Sequence, residues 1–484
     1  MGDKDNKVDR DGIQDDGVSY YRADGPRLQS YVDAERQLAQ FQAPVFLHAD
    51  NPHERLYVAC LDGTGNDETQ PQLGPETNVA KLRDQVKFLD NPHIRAGYVS
   101  GPGTQDNWAA RTWDGMTGGT YEERIETAYK QFIDQAQKWL AEDPQAEIRV
   151  VDLGFSRGAV EAAGLARLIQ ERGIQDPFGA KYVLTDDGLL VKHVEYTKPP
   201  LVAPSQVAQA ELLFDPVGTG APRDHDLRPP PSVISGLQIT AEDERRRLFK
   251  SDRIIDPGQT PDGRFLGVTV AGAHSDIGGG YFRDGLTARS ENLAINYLNA
   301  LSDKPFLHNL VEHDDPRLNV VHRSEEGEWF YRVREVHRDK PGGYVERLVP
   351  QVIVGRNRQT DAPVYGERPG VYDPFNAEPR DEWLNASFER QPVRTGLSPS
   401  TAVSPITKAG SIDDMFDGLC AAAAKGDYAG MRAIGSAYLE SPQGQAWLGQ
   451  GQQYNLEAQA QQAAVLQAQM QLQQAAQQGC GFSL

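Results

Sequence analysis

Cysteine is scarce in this chain, with Cys60, Cys420 and Cys480 the three thiols among 484 residues. Scattered as they are, with no Cys-x-x-Cys pair, they exclude a disulfide framework and a cysteine-held metal. Folding in a reducing cytosol is the expectation. Long apolar runs are missing too: no window nears the roughly eighteen uninterrupted apolar residues of a membrane-spanning helix. Met1-Gly2-Asp3-Lys4-Asp5-Asn6-Lys7 leads into more charge, so no Sec-type signal peptide is expected. Positive charge is in short supply, since 49 Lys and Arg face 69 Asp and Glu for a net −20. Phosphate backbones would be repelled, which argues against a nucleic-acid partner. The remaining composition, 39% hydrophobic and 24% charged, is that of a globular protein. A chain of this length suits one large catalytic core with appendages.

One stretch organises the rest. Ile148-Arg149-Val150-Val151-Asp152-Leu153 is a β-branched apolar run that meets Gly154-Phe155-Ser156-Arg157-Gly158, and an Ala/Leu-rich amphipathic segment follows to Ile169. The pattern predicts strand, sharp turn, helix, with Gly-x-Ser-x-Gly at the turn. Gly154 and Gly158 leave room for a serine held in so tight a bend. Ser156 is then the candidate nucleophile, at a helix start whose dipole favours an oxyanion near the Arg157 backbone N–H. An ordinary Gly-rich turn is the blander alternative.

In chain order, residues 1–54 read as a polar N-terminal arm, mobile to about residue 26, with a short helix on Leu28, Tyr31, Ala34 and Leu38. The catalytic domain is expected over 55–395. Its first strand, Leu56–Leu61, empties into Asp62-Gly63-Thr64-Gly65-Asn66-Asp67, which in a parallel sheet lands beside Ser156. Gly63 and Thr64 are candidate backbone oxyanion donors with Asp62 bracing the loop; a solvent turn is the alternative. Arg95–Val99 predicts a strand ending at Gly101-Pro102-Gly103-Thr104, and Tyr121–Ala141 a helix. Pro177–Pro204 predicts a hairpin-like insertion that could form a lid. Asp215 closes the apolar run Leu212-Leu213-Phe214, on the same rim as Ser156. Pro222–Arg264 is Pro-rich and charged, and reads as a site-flanking loop or lid. Phe265–Val270 predicts a strand that delivers His274 beside Gly278-Gly279-Gly280. The order Ser156, Asp215, His274 is that of a Ser-Asp-His triad, with Asp276 as the rival acid. Asn292–Leu301 predicts a helix, Glu328–Glu335 with Tyr344–Val354 a long hairpin, and 396–484 a helical, Gln/Ala-rich C-terminal region. The fold class is α/β, a mostly parallel sheet flanked by helices, with polar insertions. No cofactor is expected, and no metal: Asp62, Asp67 and Asp276 in Gly-rich loops read as turn chemistry.

Four motifs together resemble one family. They are Asp62-Gly63-Thr64-Gly65-Asn66, Gly154-Phe155-Ser156-Arg157-Gly158-Ala159, Phe214-Asp215-Pro216-Val217-Gly218 and Gly272-Ala273-His274-Ser275-Asp276-Ile277-Gly278-Gly279-Gly280-Tyr281. Their types and order, over about residues 55–300, are similar to the catalytic domain of type VI secretion phospholipase effectors of the first lipase class. The family's aspartate motif continues with Ser-Val, where this chain has Val217-Gly218-Thr219-Gly220. The resemblance implies an α/β-hydrolase fold and hydrolysis of phospholipid acyl esters by Ser156, Asp215 and His274, with Asp276 still open as the acid. It also implies a secretion-apparatus partner, a cognate immunity protein and delivery into the periplasm of a rival bacterium. Two other functions remain open on the residues: an esterase or thioesterase for a smaller acyl substrate, and an inert secretion cargo or adaptor.

Overall fold

Glu147–Phe155 has eight of its nine residues buried, as a strand covered on both faces must. It is the third strand of a seven-stranded sheet: β1 (Glu54–Leu61), β2 (Ile94–Val99), β3 (Glu147–Phe155), β4 (Gln209–Phe214), β5 (Val233–Ala241), β6 (Gly258–Gln259) and β7 (Phe265–Val270). The spatial order is β6-β7-β5-β4-β3-β1-β2, parallel throughout except for the edge pair β6–β7. A computed structural model describes residues 8–63, 75–101, 120–218, 225–327, 331, 335–338, 340, 343–345, 353–356, 363–365 and 378–396. The expectations for Thr64–Asp67, for 102–104, for Cys420 and Cys480 and for the C-terminal helical, Gln-rich region fall outside those residues. Two compact units divide the chain, Met1–Leu397 and Ser398–Leu484.

Helices cover both faces of the sheet. On one, α1 (Gly25–Gln40), α2 (Asn78–Lys87) and α6 (Gly285–Ala300) pack Tyr31, Leu38, Leu82, Val86 and Tyr297 against Leu56, Val58, Val151, Leu153 and Phe214. On the other, α3 (Tyr121–Glu142) and α4 (Arg157–Arg172) pack Ile125, Phe132, Val160 and Leu165 against Tyr57, Leu61, Val150 and Leu213. Each such buried aliphatic or aromatic side chain contributes about 1.5–3 kcal/mol. The sheet and its two helical layers form an α/β-hydrolase-like α/β fold. A short helix, α5 (His274–Gly278), follows β7. Among the described residues no helix is long and apolar enough to cross a membrane.

Two expectations need correction. The mobile arm is not seen from residue 8 onward: Tyr20–Arg22 pairs antiparallel with Val320–His322, and Asp9 and Asp11 grip the buried Arg283 at 2.7 and 2.9 Å. The Asp-rich segment is polar because it pairs with a buried arginine. The stretch 222–264 is not all loop, for it contains β5, wholly buried between β4 and β7. Ser235, Gly236, Gln238 and Thr240 hid the strand, and burial is tolerated because Gln238 bonds Asp252 O and Ile255 N at 3.1 and 2.9 Å. The long hairpin expected of Glu328–Glu335 with Tyr344–Val354 lies mostly outside the described residues; within it, Tyr344–Val345 pairs in parallel with Ser251–Asp252. The 175–205 insertion does hold a hairpin, Lys181–Leu184 with Val191–Glu195, laid along α3 through Val191 N–H to Thr127 Oγ1 at 2.8 Å.

Candidate active site

β3 ends at Phe155 and α4 begins at Arg157, so Ser156 alone makes the turn. Its backbone is left-handed, φ 59° and ψ −124°, a strained conformation for a residue with a Cβ. Hydrogen bonds hold it there: Ser156 N–H donates to Phe214 O at 3.0 Å, and Ser156 O accepts from Val217 N–H at 3.1 Å. A Cβ on Gly154 would lie 2.2 Å from Gly158 O, and one on Gly158 would lie 2.1 Å from Leu61 O. Neither position admits a larger residue without moving backbone. Arg157 is buried at the head of α4, where the N-terminal backbone dipoles point toward the turn.

The strand ends bring the other candidates here. Asp215 follows β4 and His274 opens α5 beyond β7, and His274 Nδ1 lies 2.6 Å from Asp215 Oδ2. The imidazole packs at a tilt of 33° on Phe155, the residue before the serine, with ring centroids 4.6 Å apart. Asp215 Oδ1 accepts from the Ala241 N–H at 3.0 Å and from Arg338. Burial alone would raise the Asp215 carboxyl, but the Arg338 charge and the His274 contact outweigh it and hold it down to about 2. For His274 burial wins over the pull of Asp215, so the imidazole sits below its ordinary value, neutral and able to accept a proton at pH 7.

Asp276, the rival acid, is placed elsewhere. Its Oδ1 lies 2.5 Å from His322 Nδ1, and its Oδ2 accepts from the Ala273 and His322 N–H groups at 2.8 and 3.0 Å. It braces the turn that presents His274 and faces a different histidine. Gly63 comes close to Ser156, since a Cβ there would lie 3.2 Å from Ser156 Cβ. Its N–H is already engaged by Asp62 Oδ1 at 2.6 Å, however. Asp62 Oδ2 also accepts from Thr77 and Tyr98 hydroxyls at 2.7 Å each. Burial pushes this carboxyl up to about 6 in spite of those donors. The bracing expected of Asp62 is thus present, the donor expected at Gly63 is occupied, and Thr64 is outside the described residues. Among those residues no cluster of three or more His, Cys, Asp or Glu could hold a metal.

Two partners gave no sequence signal. Arg338 is fully buried, its Nη1 also donating to Ala241 O at 2.7 Å and its Nη2 to Phe249 O at 2.7 Å. It lies in a polar run, Arg334 to Lys340, with no periodicity to single it out. Glu244, wholly buried, accepts from the His274 N–H at 3.3 Å.

No curated protein matches the chain. Among solved structures, the Tle1 effector bound to the VgrG spike of the type 6 secretion system is 21% identical with a TM-score of 0.29, covering 49% of this chain and 52% of its own. The chain therefore spans about half the length of that effector. The apo form of Thermogutta terrifontis esterase 2 is 15% identical with a TM-score of 0.27, covering 60% of this chain and 96% of its own. A hyperthermophilic esterase of the archaeon Pyrobaculum calidifontis is 15% identical with a TM-score of 0.24, covering 58% and 94%. Asp215 and His274 lie beyond the segment on which a family is recognised. That segment, residues 55–185, carries the Ser156 elbow and matches the catalytic domain of Tle1-like type VI secretion phospholipase effectors.

Proposed function

We propose that the chain is a serine-dependent lipase that cleaves acyl esters of membrane phospholipids. The observation that carries this reading is the 2.6 Å pair of His274 Nδ1 and Asp215, with the imidazole packed on Phe155, the residue that precedes the elbow serine. His274 Nε2 takes the Ser156 Oγ proton as the hydroxyl attacks the acyl carbonyl, while Asp215 fixes the tautomer and stabilises the imidazolium. The Arg157 backbone N–H, at the positive end of α4, faces the developing oxyanion. A donor of this kind contributes about 3–4 kcal/mol in comparable enzymes. The imidazolium then protonates the departing alcohol, and water releases the fatty acid by the same route.

The match over residues 55–185 supports the phospholipid as substrate. In this reading the protein is an antibacterial effector, handed to a secretion apparatus and delivered to the envelope of a target cell, with an immunity protein guarding the producer. A fluorophosphonate probe tests the chemistry. Wild-type protein becomes labelled, and Ser156→Ala and His274→Ala lose labelling and the hydrolysis of phospholipid vesicles. Equal labelling of Ser156→Ala and wild type would show another nucleophile.

A further inference from the structure

In ester hydrolysis the group that protonates the departing alcohol must stand on that alcohol's side of the carbonyl. In the mechanism above that group is His274, so whatever the alcohol carries lies along the histidine's flank. Phe249 forms this flank, its ring meeting the imidazole edge-on at 5.1 Å, and the Arg246 guanidinium lies 3.5 Å over the Phe249 face. Tyr331 closes the cluster, 5.6 Å from Phe249 and 5.2 Å from Arg246.

Arg246 is built into the wall. Nε and Nη2 donate to the two oxygens of Glu244 at 2.9 Å each, and its own N–H donates to Glu244 Oε1 at 2.7 Å. One buried carboxylate therefore fixes both the arginine and the backbone of His274. Nη1 makes no hydrogen bond among the described residues and is not among the atoms sealed from solvent. Arg338, the other guanidinium beside the site, is spent on Asp215, Ala241 O and Phe249 O. A fixed, largely buried guanidinium with one open N–H pair is suited to an anionic oxygen.

We infer that Arg246 is a specificity-determining residue whose Nη1 receives a phosphodiester oxygen carried by the departing alcohol. The inference rests on the phospholipid reading and sharpens it, since it places the headgroup on the His274 side and the acyl chain away from it. Glu244 is the positioning residue for both.

The test compares wild type, Arg246→Gln and Arg246→Lys as full-length proteins on dihexanoyl phosphatidylglycerol and dihexanoylglycerol. The ratio of kcat/KM for the phospholipid to that for the neutral lipid falls by about tenfold or more in Arg246→Gln, as expected for one lost charge-assisted bond. Arg246→Lys lies between. Damage to the fold lowers both rates and leaves the ratio where it was, and an unchanged ratio in both variants overturns the inference. Glycerol 3-phosphate as a competitor of p-nitrophenyl butyrate hydrolysis keeps the two readings apart. If wild type cleaves the neutral esters and not the phospholipid, the phospholipid reading fails. The Arg246 site then stands or falls on whether glycerol 3-phosphate competes in wild type and less well in Arg246→Gln.

Discussion

At the scale of single residues the elbow serine is held in a conformation that only glycine adopts freely, at a cost of about 1–3 kcal/mol. Replacing Ser156 by Gly removes that cost, while Ser156→Ala keeps it. Ser156→Gly is expected to unfold at higher urea, more stable by about 1 kcal/mol, with no reaction toward fluorophosphonate. A midpoint at or below that of Ser156→Ala would mean that the turn stores no strain. Gly-x-Ser-x-Gly is legible in sequence because the glycines are demanded by local clashes within the turn itself. Arg338 is not, since its partner Asp215 is 123 residues away and nothing near it in the chain reports the encounter.

Among the elements, the strand Val320–His322 carries a clamp that was not foreseen. His322 lies between Asp276 and Asp16, its ring nitrogens 2.5 and 3.0 Å from their carboxylates, with Tyr281 stacked over it at 3.8 Å. It joins the N-terminal segment to the turn that holds His274. Burial works against its charge, but Asp276 and Asp16 prevail and raise it to about 9. A histidine raised on folding stabilises fully below its unfolded value near 6.5, and the gain is lost as pH climbs through the folded value. Urea stability should therefore fall between about pH 6.5 and 9, by on the order of 3 kcal/mol, and His322→Gln should flatten that slope. Parallel slopes for the two proteins would remove His322 from the account. The helices α3 and α4 were readable because one face repeats its apolar residues, whereas β5 was not, its polar side chains being satisfied by the Asp252–Ile255 segment and by Tyr297 on α6.

The whole molecule divides at Leu397, with the candidate site entirely in the first unit. A chain ending at Leu397 is expected to keep wild-type hydrolysis of phospholipid vesicles and to fail in export from the producing cell. Undiminished export would take the delivery role away from Ser398–Leu484, and lost hydrolysis would make that unit part of the enzyme. At this scale too, the acidic balance of −20 counts against polyanions without naming a substrate.

Local rules were enough for the strand–Ser156–helix turn, the parallel α/β pattern and the strand ends near Asp215 and His274, because each follows from neighbours a few residues apart. Two acids remained eligible for the histidine, since both Asp215 and Asp276 stand at or near a strand's end. Only tertiary structure separated them. The packing of β4 beside β5 turns Asp215 toward His274, and pairing of Val320–His322 with Tyr20–Arg22 gives Asp276 a histidine of its own. Which carboxylate meets which imidazole depends on contacts between distant segments, and chain order alone does not carry that information.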